Sequence, residues 1–151
     1  MPRTLNRATF SRLMLWIGAA GVLATGADHL YEYAHDGFSS VPTIGTLFLL
    51  NFIGATIIGV TLLLPLAQLV PRFSDQLRAL LAVSGVGLAA TSLLALWISE
   101  TSSLFGFSDF GFRATIVAAI VAESVAVIAL GAYLLLTFLR FNVPQTSVQA
   151  R

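Results

Sequence analysis

The sequence contains no cysteine and no lysine, and only 10% of its 151 residues are charged. The lack of cysteine excludes disulfides, thiolate metal sites and thiol catalysis. The net charge is only +1, and no basic stripe with interleaved aromatic side chains occurs, so nothing in the composition points to nucleic acid as a partner. The sequence as a whole is strongly apolar. Because 57% of the residues are hydrophobic, more than a soluble fold of this size can cover, we expect the lipid bilayer to be part of the solvent.

Four apolar segments are long enough, or nearly so, to cross a membrane as helices, which takes about 20 residues. They run over residues 13–31, 43–70, 77–98 and 114–138. They lack the alternation of barrel strands, whereas helices satisfy every backbone polar group internally. The sequence therefore predicts an all-α fold, a single integral membrane domain formed by a bundle of four transmembrane helices. We expect the long second span to tilt or to kink at Pro65, and a polar tail to follow over 142–151.

The arginines predict the orientation of these spans. All but one lie on the side of the membrane that holds both chain ends, and only Arg113 lies on the other side. Most acidic residues and both histidines fall on the Arg113 side. By the positive-inside rule, we expect both termini of this multi-pass membrane protein to be cytoplasmic. An alternative remains open, because early arginines, an apolar run and then Thr25-Gly26-Ala27 also fit a cleavable signal peptide, which would leave three spans.

Small residues spaced four apart occur in every predicted span. Such pairs allow helices to approach closely in lipid, where no hydrophobic force drives their association. They serve either packing within the bundle or contact with another copy of the chain, and four helices already require packing faces. The pairs are Gly21 and Thr25, Ala55 and Gly59, Gly85 and Ala89, and the row Ala118, Ala122 and Ala126.

Polar side chains also lie within the apolar segments, and Glu123 is the most informative of them. A carboxylate deep in a membrane is costly, so it should face the bundle interior and be paired, hydrogen-bonded or protonated. The other polar residues predicted in the same half of the membrane are Asn51, Thr91, Ser92 and Thr25. They fit either a structural hydrogen-bond network or a proton, ion or ligand site that opens outward.

Ionisable side chains also cluster at the outer end of the first span. If the helix continues there, Asp28, Glu32 and His35 share one face, and His29 and Asp36 flank it. Carboxylates and imidazoles suit Zn, Mn, Fe or Cu(II), so these five residues are a candidate metal site. A solvated acidic helix end fits the pattern better, because spacing alone does not bring three ligands together.

The sequence does not identify a cofactor. The spacing of Glu32 and His35 is that of di-iron helical bundles, but the second such motif that those sites need is missing. A haem held by two histidines requires them on different spans, whereas His29 and His35 share one short segment.

The segment from His29 to Asn51, HLYEYAHDGFSSVPTIGTLFLLN, resembles a segment of small, functionally uncharacterised membrane proteins of actinobacteria. In those proteins an H-L pair is followed by a few polar or aromatic residues and then by I-P-T-I-G-x-L-F-L-L. Here Val41 replaces the first Ile. The resemblance covers about a sixth of the chain and implies a bacterial plasma-membrane protein, without any catalytic residues.

Three functions are compatible with these features. The first is a non-enzymatic accessory or interaction subunit that docks against a membrane protein partner or forms a homo-oligomer. The second is a small protein that transports or handles ions, protons, metals or electrons through Glu123, Asn51 and the His29–Glu32–His35 region. A membrane-embedded enzyme comes third, because the sequence contains no phosphate loop, dinucleotide fingerprint, nucleophile elbow or HExxH motif.

Overall fold

The computed structural model describes residues 6–108, 111 and 113–141, and the predicted tail over 142–151 lies outside this part of the chain. Its helices are α1 (Arg7–His35), α2 (Ile44–Leu63), the single-turn α3 (Leu66–Leu69), α4 (Ser74–Thr101) and α5 (Ala114–Phe141), with a short 3-10 turn at Phe38–Ser40. Within the described residues the only strand-like pairing is an isolated bridge between Leu104 and Phe107. The all-α prediction is confirmed.

Four helices, α1, α2, α4 and α5, are long and apolar enough to span a membrane, as predicted. α1 and α4 extend beyond the apolar segments that predicted them, to Arg7–His35 and Ser74–Thr101. The extra turns carry polar and charged side chains. They form helix all the same, because helix formation requires only backbone hydrogen bonds and tolerates polar side chains at its ends.

The second span differs from its prediction at the far end. α2 stops at Leu63 instead of running on to residue 70 with a kink. Leu64 has an extended backbone, with ψ at 152°, because the ring of the following Pro65 disfavours helical geometry in the residue before it. The chain resumes helix for a single turn as α3. The span is therefore a helix of 20 residues, close to the length that crosses a hydrocarbon core.

The four long helices form a closed bundle. α1 packs against α2 and α5, and α4 packs against the same two helices, so α1 and α4 lie diagonally opposite each other. Since α1 and α5 run antiparallel, the C-terminal end of α1 lies beside the N-terminal end of α5. This places the α1–α2 and α4–α5 connections at one end of the bundle, which we call the loop end.

The predicted small residues create the close contacts between helices. A Cβ added to Gly21 would lie 2.9 Å from the backbone nitrogen of Ala126, so α1 and α5 touch almost backbone to backbone. Gly59 of α2 approaches Leu23 and the Ala19 carbonyl in the same way. Of the predicted small residues, Ala118 is exposed and Ala122 is half-buried, whereas the rest are buried. Packing within the bundle accounts for most of this pattern.

Large apolar side chains cover the outside of the bundle. Ile128 is 71% exposed, Leu80 63% and Trp97 60%, and many other Leu, Ile, Val and Phe side chains are exposed as well. In water such an apolar exterior would lead to association or aggregation. Hydrocarbon chains of lipid are the solvent that suits it.

Replacing Gly21 by Ala should destabilise the bundle by about 1–3 kcal/mol, because the new methyl group forces α1 and α5 apart. Gly87→Ala on α4 is the matched control. Nothing lies within 4 Å of its added Cβ, so the gain in helix propensity should leave stability unchanged or raise it by up to about 1 kcal/mol. Thermal unfolding in one detergent measures both variants, and equal shifts would contradict the close contact.

Candidate functional site

The two polar regions predicted separately line one cavity at the loop end of the bundle. Its volume is about 310 Å³. All four long helices contribute to it, together with the 3-10 turn and the α4–α5 connection. The polar lining residues are Asp28, His29 and Glu32 of α1, Asn51 of α2, Thr91, Ser92 and Ser99 of α4, and Glu123 of α5. The sequence predicted all of these residues except Ser99, but as two separate regions.

The carboxylates of the cavity lie at three depths, which follow from the helical rise of 1.5 Å per residue. Glu32 is about 5 Å along α1 from its last residue, His35, and Asp28 is about 10 Å from the same end. Glu123 lies about 14 Å along α5 from its first residue, Ala114. Asp28 and Glu32 are close enough to Glu123 for their charges to interact with its carboxylate. The wall is therefore acidic from rim to floor.

Glu123 forms the floor of the cavity and is 1% exposed. Its Oε2 atom is buried and has no hydrogen-bond partner among the described residues. The predicted structural network would have supplied such a partner. A buried polar atom without a partner costs about 1–3 kcal/mol, and more when it is charged, so this atom is unexplained by the packing of the protein alone.

Asn51 and Ser92 form the one predicted hydrogen bond that joins two helices. The Asn51 amide nitrogen donates to the Ser92 hydroxyl oxygen at 2.6 Å, which ties α2 to α4. The amide oxygen of Asn51 is buried and has no hydrogen-bond partner among the described residues. The bond uses an N–H group of the Asn51 amide. The amide oxygen can still accept a hydrogen bond, and Asn51 lines the cavity.

His29 adds another acceptor. Its Nδ1 atom lies 2.9 Å from the Thr25 carbonyl oxygen. Because a carbonyl only accepts, Nδ1 carries a proton, and Nε2 of the neutral ring is left as an acceptor. The ring also packs edge-on against Phe48, with 4.9 Å between the ring centroids. His29 is thus held in one orientation by its own helix and by α2.

An ion pair lies at the rim of the cavity. Arg113, just before α5, approaches Glu32 with 3.9 Å between its Nη2 and the Oε1 of the carboxylate. The same guanidinium lies over the Phe38 ring, 5.9 Å from its centroid. Arg113 was singled out in the sequence only as the one arginine on the acidic side. Its isolation among acids was the signal that could have identified it as a partner of the site.

Aromatic rings line the cavity near the same rim. Phe38 stacks on Phe48, with centroids 4.7 Å apart, and Phe107 meets Phe38 edge-on at 5.4 Å. Phe107 is placed by a tight turn in which Phe105 and Gly106 both have positive φ, so that Leu104 and Phe107 pair with each other. Phe38, Phe48 and Phe107 all line the cavity, and we call them the phenylalanine cluster.

Three of the predicted residues take no part in this cavity. His35 is exposed, stacks on Tyr31 and donates a hydrogen bond from Nδ1 to the Tyr31 carbonyl oxygen of its own helix. Asp36 is exposed just past the end of α1. Thr25 is fully buried in the bundle and is not part of the cavity wall.

The predicted metal site gains no support from this arrangement. The described residues contain no group of three or more His, Asp or Glu side chains that could hold a metal ion. His35 and Asp36 lie beyond the last packed turn of α1 and so are separated from the cavity that holds Asp28, His29 and Glu32. Metal binding by these five residues stays a prediction from spacing.

Comparison of this chain with protein-family models, curated proteins and solved structures finds no match. Its function is therefore inferred from the geometry and chemistry of the cavity.

Replacing Arg113 by Gln should destabilise the protein by about 1–3 kcal/mol, because it removes the cation beside a Glu32 side chain that is only 9% exposed. Glu32→Gln should cost less in the Arg113→Gln background than alone, since the pair is then already broken. Unfolding of the single and double variants in detergent measures this coupling. Strictly additive losses would show that the two side chains do not stabilise each other.

Asp75→Asn is the control for an exposed pair. Asp75 lies 3.9 Å from Arg78, but its side chain is 73% exposed, so its replacement should change stability by no more than about 0.5 kcal/mol.

Proposed function

We propose that this protein is a multi-pass membrane protein that binds a small cation in the acidic cavity at the loop end of its bundle. It then belongs to the second class expected from the sequence, a small protein that transports or handles ions, protons, metals or electrons. The single observation that carries the proposal is the side chain of Glu123, which lines the cavity and has a buried Oε2 atom without a hydrogen-bond partner among the described residues.

The polar groups of the cavity wall favour a ligand that donates hydrogen bonds. Acceptors are left over on Glu123, Asn51 and His29, as described above. In contrast, the hydroxyl hydrogens of Thr91 and Ser99 are used on carbonyl oxygens of their own helix. Since carboxylates only accept when ionised, a positively charged donor complements this wall better than a neutral or anionic molecule does.

The charge balance supports the same class of ligand. Three carboxylates line the cavity, and Arg113 is the cation paired with one of them, Glu32, at the rim. Asp28 and Glu123 lie further in. In a low-dielectric site their mutual repulsion is strong, and a bound cation would relieve it.

The proposal includes the placement of the chain in the membrane. The arginine distribution and the resemblance around His29 to Asn51 favour a bacterial plasma membrane with both termini cytoplasmic, which places the cavity on the outer side. It also requires that the first span is retained, since α1 supplies Asp28, His29 and Glu32 and packs against α2 and α5. Cleavage after Ala27 would remove most of that packing surface.

The absence of cysteine permits a direct test with single-cysteine variants. In Ser99→Cys, a near-isosteric change in the cavity wall, we expect cationic 2-aminoethyl methanethiosulfonate to react faster than anionic 2-sulfonatoethyl methanethiosulfonate. The ratio of the two rates cancels the reactivity of the thiol itself. It should exceed the ratio at Ser39→Cys, an exposed position at the same end, by about tenfold or more, because a charged cleft concentrates counter-ions.

Adding Glu123→Gln to Ser99→Cys should lower this ratio, whereas adding Asp36→Asn, an exposed acid outside the cavity, should change it little. A ratio at Ser99→Cys equal to that at Ser39→Cys would overturn the cation-binding proposal.

A second candidate function is the accessory or interaction subunit, and one feature of the surface favours it. An open groove of about 650 Å³ runs along the outside of the α1–α5 contact. Its lining consists of small and β-branched residues, which allow another helix to approach closely in lipid. The lining residues are Ile17, Ala20, Gly21, Ala24, Ala114, Val117, Ala118, Val121, Ala122 and Val125.

If a second copy docks in this groove, Ala118→Cys should form a disulfide-linked dimer on mild oxidation in native membranes. Ile57→Cys, 60% exposed on α2 and outside the groove, should not do so. Equal dimer yields would indicate random collision, and failure at both positions would remove self-association through this groove.

A further inference from the structure

The size of the cavity and the arrangement of its polar and aromatic lining limit which cations can fit in it. A volume of about 310 Å³ lies at the lower end of the range of about 300–1,000 Å³ typical of small-molecule sites, so it suits a molecule of about one ring. Polar side chains line the cavity from rim to floor, and its deepest carboxylate is that of Glu123. The phenylalanine cluster lies near the rim.

The phenylalanine cluster gives the rim a surface for an apolar or aromatic body. Phe38 is in contact with both Phe48 and Phe107, so the three rings form one continuous apolar wall. One face of Phe38 already lies under the Arg113 guanidinium. Such a wall can remove the apolar body of an organic cation from water while a carboxylate holds its charged group.

We infer that the ligand is a small organic amine whose ammonium group is held by Glu123 and Asn51 at the floor, while its apolar body packs against the phenylalanine cluster. This inference rests on the proposed cation-binding function and specifies its substrate class. A primary or secondary ammonium supplies N–H donors for the carboxylate of Glu123 and the amide oxygen of Asn51, two cavity-lining residues that each carry a buried oxygen without a hydrogen-bond partner among the described residues.

An inorganic cation fits the same wall less well. The described residues do not provide three converging His, Asp or Glu ligands, and the phenylalanine cluster offers a hydrated ion no oxygen ligands. An amine needs only one carboxylate and one carbonyl at the ammonium, and its body removes the phenylalanine rings from water.

Protection of the cavity thiol tests the inference in the full-length chain reconstituted in lipid nanodiscs. Ser99→Cys is modified with neutral methyl methanethiosulfonate at pH 7, so that the reagent itself does not respond to charge. Three probes compete: 2-phenylethylammonium, ethylammonium with the charge but no ring, and 2-phenylethanol with the ring but no charge. We expect 2-phenylethylammonium to slow modification at concentrations at least about tenfold lower than ethylammonium does, because burial of its ring adds affinity. We expect 2-phenylethanol to have little effect.

Two pairs of variants in the Ser99→Cys background test which side chains hold the ammonium group of the ligand and which contact its apolar body. Glu123→Gln should weaken protection by 2-phenylethylammonium at least tenfold, whereas Glu100→Gln, which changes an acid at the same end outside the cavity wall, should leave it unchanged. Phe107→Leu should reduce the advantage of 2-phenylethylammonium over ethylammonium. Its control, Phe105→Leu in the same turn, changes a side chain that is 69% exposed and outside the cavity.

Each outcome decides the inference. Equal potency of ethylammonium and 2-phenylethylammonium would overturn the amine-with-apolar-body ligand but leave cation binding intact. Equal potency of 2-phenylethanol would show that charge is irrelevant and would overturn both proposals. Lack of protection by all three probes would overturn the inference, and the ratio of charged-reagent rates at Ser99→Cys then decides separately whether the cavity attracts cations at all. If Glu123→Gln lowers the unfolding temperature strongly, Asp28→Asn replaces it as the charge-removing variant.

Discussion

The close approach of α1 and α5 is the constraint on which the cavity depends. Gly21 lets the α1 backbone lie against Ala126, and this contact fixes both the separation and the relative height of the two antiparallel helices. Toward the loop end, the same register brings Glu32 beside Arg113 and places Asp28 and Glu123 on one cavity. Larger side chains at the contact would move the carboxylates of α1 away from that of α5. The acidic wall is therefore a consequence of small residues that carry no chemistry themselves.

Burial of Glu123 is the energetic problem that this arrangement creates. A network of hydrogen bonds would solve it within the protein, and the sequence left that solution open. The described residues supply only the Asn51–Ser92 bond of such a network, and this bond leaves the amide oxygen of Asn51 without a donor as well. Two acceptors without donors do not stabilise each other. The proposed ligand would donate hydrogen bonds to both, and the need for such a donor is what would distinguish a binding cavity from a polar bundle core.

The sequence allowed the helices and several site residues to be predicted, but not how they combine. Hydropathy located the four long helices because a span must keep about 20 residues apolar. It overestimated α2 because Leu64 and Leu69 are as apolar as the helix, although the backbone breaks at Pro65. Helical spacing put Asp28, Glu32 and His35 on one face, yet His35 lies past the turns that neighbouring helices cover and is exposed. The convergence of α1 with α5 depends on the rotation of each helix about its axis, which periodicity in so uniformly apolar a chain does not reveal.

The packing in the other half of the bundle, toward the chain ends, limits how far a solute can move beyond the cavity. Toward the chain ends, Leu62 and Leu130 are almost fully buried, and Leu15 and Tyr133 join them in one core. A solute that enters at the loop end therefore meets tightly packed side chains beyond Glu123. Passage across the bundle would require the helices to separate along this core, and that would cost the close packing that positions the carboxylates. Binding requires no such separation. The packed core thus favours a protein that holds its ligand from one side over one that carries it through.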